Sequence, residues 1–146
     1  MLNHRNILYA IDLDKGLDDS FAKLIDEAND NNVNIHIYHV VKSTAAAYGY
    51  ATAYIPSDSM MELETKLKDN AQSKLNQLLE TSRFTNGSVC IDISDSPKEE
   101  IIEKAKELKV DAIYINGHDH NLIGRLGSVA DYVINHAKCD VVVLKH

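Results

Sequence analysis

The run Val110-Asp-Ala-Ile-Tyr-Ile115, followed by Asn116-Gly-His-Asp-His-Asn-Leu-Ile-Gly-Arg-Leu-Gly-Ser128, sets an apolar strand-like segment against a glycine-bearing loop and then a helix-like segment starting near Ser128. This is the context in which a loop holds phosphate. Glycines let the main chain approach an anion closely, and N–H groups at the following helix N-terminus point at it with the helix dipole behind them. Three glycines in eleven residues, Gly117, Gly124 and Gly127, are also what an ordinary turn after a strand contains, so the neighbouring segments must decide.

Outward from this stretch, strand-like and helix-like runs alternate. Asn6 to Ile11 is a short, nearly continuous apolar run, as expected of a central strand buried on both faces. Leu17 to Asn29 places Leu17, Phe21, Leu24, Ile25 and Ala28 at helical spacing, with Asp18 and Asp19 suited to a helix first turn. Val33 to Val41 begins by alternating and turns continuously apolar, which predicts a second strand more buried at its C-terminal end. Residues 42 to 56, rich in Ala and Tyr, show no period and read as a loop before a long helix carrying Met60, Leu63, Leu67, Ala71, Leu75, Leu78 and Leu79. Ser88 to Ser94 alternates like a half-exposed strand near a sheet edge. Ser96-Pro97-Lys98-Glu99 has the hydroxyl, proline and glutamate of a capping box, predicting a helix that bears Ile101, Ile102, Ala105 and Leu108. Ala130, Val133, Ile134 and Ala137 mark a further helix, and Asp140 to Leu144 a fifth strand.

This succession of five strands and four helices predicts one α/β domain over residues 1–146, with a parallel sheet covered on both faces. Right-handed crossovers favour the order 3-2-1-4-5, which puts strands one and four side by side where the winding reverses. Ligands bind at such a switch point. The loops beside it begin at Asp12 and Gly117, so the topology independently expects a site where the glycine loop lies.

The net charge of −7, with lysines and arginines scattered over helix faces, argues against a nucleic-acid partner and means that a bound polyphosphate would be held by local groups. No apolar run approaches the roughly 20 residues of a membrane span, and no signal-peptide segment is seen, so a cytoplasmic protein is expected. Cys90 and Cys139 read as small, near-core hydrophobes, consistent with a reducing compartment.

Taken over the whole chain, these features resemble the universal stress protein family: an Ile-Leu-Tyr-Ala-Ile-Asp12 strand and turn, a strand ending His39-Val40-Val41, and a closing Gly-Ser-helix-Cys-Asp-Val-Val-Val-Leu. In nucleotide-binding members the loop after strand four is Gly-x-x-Gly, nine residues, then Gly-Ser or Gly-Thr. Gly117 and Gly127-Ser128 match its ends, but His120 stands at the second glycine and only residues 121 to 126 follow before Gly127. A side chain where close backbone approach is needed pushes phosphate outward, and a positive φ there costs a non-glycine residue on the order of 1 kcal/mol. The short spacing resembles the branch that does not retain ATP, whereas Gly127-Ser128 resembles the branch that does. Gly124 offers a substitute glycine if the loop is re-threaded.

The resemblance implies that Asp12 accepts a hydrogen bond from adenine or ribose, that Ala10 and Val40 wall the base, and that Gly117, Gly127 and Ser128 contact ribose and phosphates. Each has a plainer reading: Asp12 as a turn residue, Ala10 and Val40 as core, Ser128 as a helix cap. ATP, ADP or AMP is the implied ligand, with no metal beyond a nucleotide-associated magnesium. The implied assembly is a homodimer through the C-terminal strand, and no membrane partner is implied. His118-Asp119-His120, with His39 nearby, raises a metal-binding alternative, although helical or cysteine ligand spacing is missing. Neither a Gly-x-Ser-x-Gly elbow nor a Gly-x-x-x-x-Gly-Lys loop is present, so a non-catalytic stress-response module is expected over a slow nucleotide hydrolase.

Overall fold

The computed structural model describes residues 3–13, 19–117 and 127–144. Its elements in chain order are β1 (Asn6–Ala10), α1 (Asp19–Asn31), β2 (Asn34–Lys42), α2 (Thr44–Tyr48), a 3-10 helix (Gly49–Tyr54), α3 (Ser57–Glu80), β3 (Gly87–Ser94), α4 (Pro97–Glu107), β4 (Ala112–Asn116), α5 (Ser128–His136) and β5 (Asp140–Leu144). All strand pairs are parallel, and the sheet order is β3-β2-β1-β4-β5, as the alternation of strands and helices predicts.

The central strand β1 alternates between two cores. Ile7, Tyr9 and Ile11 face α1 and α3, where Phe21, Leu24, Ile25 and Leu75 are buried against them. Leu8 and Ala10 face α4 and α5, where Ile101, Ile102, Ala130 and Val133 close the other side. Burial on both faces is why this strand reads as a continuous apolar run. At the sheet edge, β3 opens on Gly87, whose φ is +146°. A Cβ at Gly87 would lie 1.7 Å from the carbonyl oxygen of Ile35, its register partner in β2, so only glycine admits that approach.

Three local expectations are corrected. Residues 42 to 56 are not a loop: Ser43 accepts a hydrogen bond from the Ala46 N–H at 3.2 Å and caps α2, which leads into the 3-10 helix. A five-residue helix is too short to display a 3.6-residue period, which is why composition alone suggested a loop. In β2 the buried end is the N-terminal one: Ile35 and Ile37 are sealed, while His39, Val40 and Val41 are half-buried because they line an open cleft. Helix α4 begins at Pro97 as expected, but Ser96 makes no side-chain cap bond. The Ser94 hydroxyl accepts from the Ser96 N–H at 3.1 Å, taking the donor that Glu99 would satisfy in a capping box.

Candidate functional site

A cleft of about 550 Å³ opens over the C-terminal ends of β1, β2 and β4. That volume is in the range of small-ligand sites, and the position is the topological switch point between β1 and β4. Its floor is apolar, with Ala10, Val40 and Ile115 from the strands and Val129 from α5. Asp12 and Asn116 provide polar groups at the strand ends. The opposite wall comes from α3, through Leu67, Asn70, Ala71 and Lys74.

The cleft thus brings together three of the six residues singled out in the sequence, Ala10, Asp12 and Val40. The other three stand beside it at the β4 and α5 side. Gly117 follows β4 directly, and its N–H donates to the Leu144 carbonyl at 3.0 Å, extending the β4–β5 ladder. Gly127 donates its N–H to the Gly117 carbonyl at 3.2 Å and is the N-cap of α5. Ser128 is the first residue of α5 and exposed, so the cap position expected of it belongs to Gly127. Gly124 and the His118-Asp119-His120 triplet lie outside the described residues. Among the described residues, no group of three or more His, Cys, Asp or Glu side chains could hold a metal ion.

His39, weighed as a metal ligand, turns its Nδ1 to the Ile11 carbonyl at 3.1 Å. A carbonyl only accepts, so Nδ1 carries the hydrogen. Together with the Ile11 N–H, which donates to the Tyr38 carbonyl at 3.0 Å, this bond fixes the chain just before Asp12. The position of the Asp12 main chain is therefore set by β2 as well as by β1.

Electrostatically the cleft is mixed. Asp12 is the one carboxylate among its described lining residues, against Lys42 and Lys74. Asp131 in the first turn of α5 complements the helix dipole there and opposes an incoming anion. Beneath the floor, the Tyr38 hydroxyl donates to Asp92 Oδ2 at 2.7 Å, and Lys104 Nζ stands 3.5 Å from the same oxygen. Burial first, and then the Asp92 carboxylate, pushes the Tyr38 phenol far above its ordinary range. Donation from Tyr38 is the largest influence on Asp92; with Lys104 it outweighs partial burial and holds that carboxyl low. This network anchors β2, β3 and α4 under the site.

Sequence reasoning missed Tyr48, Asn70 and Lys74 as lining residues. The signal lay in α3, where Asn70 and Lys74 are four residues apart and border Leu67 and Ala71 on the helix surface.

Comparison with known proteins agrees with this architecture. A family model described as the universal stress protein family matches residues 3–145. The chain is 28% identical over 144 residues to universal stress protein A homolog 1 of Coxiella burnetii, covering 98% of this chain and 97% of that protein. The solved universal stress protein UspA of Lactobacillus plantarum superposes with a TM-score of 0.68 at 24% identity, covering 99% of each chain. A universal stress protein family protein of Arabidopsis thaliana, solved with AMP bound, superposes with a TM-score of 0.55 at 17% identity, over 97% of this chain and 92% of that one. The chain belongs to the universal stress protein family.

Proposed function

We propose that this protein is a non-catalytic, cytoplasmic stress-response module that binds an adenine nucleotide weakly in the switch-point cleft. The observation that carries the reading is the convergence of Ala10, Asp12 and Val40 on one cleft beside the N-terminus of α5. The residues present fit the group: the small apolar side chains leave a slot for a planar base, Asp12 offers an acceptor for a hydroxyl or amino group, and the N-terminus of α5 beside the cleft favours an anion. Support also comes from the Arabidopsis relative with AMP bound.

Weak binding follows from the loop. The Gly117 and Gly127 N–H groups already have protein partners, and Asp131 adds a negative charge in the first turn of α5. A nucleotide can shift conformation or partner affinity only through its differential interaction with two states, so a signalling role fits weak, reversible occupancy. The reading includes a homodimer through β5, an edge strand whose outward N–H and C=O groups a second copy can satisfy. Nuclear magnetic resonance during an AMP titration tests the site. Saturable shifts centred on Ala10, Asp12 and Val40 are expected, whereas shifts centred on another surface would refute the assignment.

A further inference from the structure

At the end of the sheet opposite the cleft, on the α4 side, β1, β2 and β3 bring together Asn6, His36 and Ser88, the last two being register partners. His36 Nε2 lies 2.8 Å from Asn6 Oδ1, and His36 Nδ1 lies 2.6 Å from Ser88 Oγ. The partners fix the tautomer. Asn6 commits its amide nitrogen to the Leu108 and Lys109 carbonyls, at 3.1 and 3.3 Å, so its oxygen faces the ring, and an amide oxygen only accepts. Nε2 therefore carries the hydrogen. Asn34 Nδ2, 3.1 Å from Nε2, donates to the same Asn6 oxygen at 3.0 Å. Burial holds the His36 imidazole below its ordinary range, so the ring is neutral at pH 7 and Nδ1 keeps a lone pair, to which the Ser88 hydroxyl donates. His36 is half-buried, whereas Ser88 is exposed.

We propose that Ser88 is a nucleophilic modification site that accepts an acyl group from an activated acyl ester, with His36 as its general base and Asn6 positioning the ring. A serine hydroxyl is a weak nucleophile until a neighbouring base takes its proton, and a base oriented by a third group supplies that activation. An asparagine serves as the third group in papain-like cysteine proteases. In the step, Ser88 Oγ attacks the ester carbonyl carbon as its proton passes to His36 Nδ1. The bond from that carbon to the leaving oxygen breaks, the imidazolium gives the proton to the departing alkoxide, and Ser88 carries the acyl group as an ester. Asn6 Oδ1 holds the Nε2 hydrogen throughout, so the ring keeps its orientation while it is charged. The chain is the acceptor, one acyl group for each Ser88, and the step is independent of the cleft.

Para-nitrophenyl acetate is the probe, and peptide mass spectrometry follows acetylation of Ser88 and of Ser73, an exposed α3 serine of the same chain. In the wild type Ser88 should be acetylated about 100-fold faster than Ser73, and in His36→Gln the two rates should fall together, as expected when a general base is lost. Nitrogen nuclear magnetic resonance of the wild-type His36 ring should show Nε2 protonated and Nδ1 bare at neutral pH, and Asn6→Ala should populate the opposite tautomer. Ser88 acetylated no faster than Ser73, adducts confined to lysines, an unchanged Ser88 rate in His36→Gln, or a protonated Nδ1 in the wild type would each overturn the proposal. Three of these outcomes are read on the wild type alone, so a variant that folds poorly leaves the proposal falsifiable.

Discussion

The N–H of Gly127 donates to the carbonyl of Gly117 at 3.2 Å, tying the end of β4 to the start of α5 and closing the base of the loop between them. The bond occupies the main-chain donor of the α5 N-cap, which an anion at that helix end would otherwise meet. On the nucleotide reading proposed for the cleft, this occupied donor lowers affinity.

Glycine positions separate close packing from loop freedom. Gly87→Ala forces a Cβ to within 1.7 Å of the Ile35 carbonyl oxygen at a φ of +146°, so it should destabilise the fold by about 3 kcal/mol or more. Gly127→Ala, with nothing among the described residues within 4 Å of its Cβ, should cost no more than about 1 kcal/mol, the loss of a glycine N-cap. Urea denaturation measures both; a Gly87→Ala variant as stable as the wild type would contradict the close approach of β3 to β2.

The Tyr38–Asp92 pair sets limits of stability against pH. Asp92 is held below the ordinary carboxylate range, so its contribution is present above about pH 4 and lost as pH falls further. Tyr38 is raised, so its contribution is present below about pH 10 and lost as pH rises beyond it. Tyr38→Phe should cost about 1 kcal/mol at neutral pH, a figure kept small because the Asp92 side chain is 37% exposed. It should also flatten both limbs. Stability curves of wild type and Tyr38→Phe that run parallel from acid to alkali would count against the pairing.

Much of this architecture was legible in the sequence because burial writes a period into it. The two-sided core around Ile7 to Ile11 gives an uninterrupted apolar run, and the order β3-β2-β1-β4-β5 follows from alternating elements and right-handed crossovers. Residues Thr44 to Tyr54 were illegible because one short helix and a 3-10 segment have no period to show. The α3 wall was hidden for another reason. Asn70 and Lys74 are exposed and resemble any solvent face, and only the packing of α3 beside β2 turns them toward a cleft.

The β5 interface makes a directional prediction. The Leu144 carbonyl accepts from Gly117 and so faces β4; since strand groups alternate, Val142 faces β4 as well, while Val141 and Val143 turn their N–H groups outward. Val143→Pro should therefore convert a dimer to a folded monomer, and Val142→Pro should damage the β4–β5 ladder itself. Sedimentation decides. A wild-type monomer at tens of micromolar, or an intact Val143→Pro dimer, would tell against pairing through β5.

If Asp12 and Ser128 touch the nucleotide, Asp12→Ala and Ser128→Ala should each weaken binding about tenfold, equivalent to about 1.4 kcal/mol for one lost hydrogen bond. Unchanged affinity in both variants would remove these residues from the site.

The central claim is a degenerate nucleotide site that still binds, and calorimetric titration of the wild-type protein with ATP tests it most directly. Saturable binding is expected with a Kd nearer the millimolar than the micromolar range, roughly −4 to −6 kcal/mol. A sub-micromolar Kd would contradict the weakness ascribed to the loop, and no saturable binding at all would contradict the site.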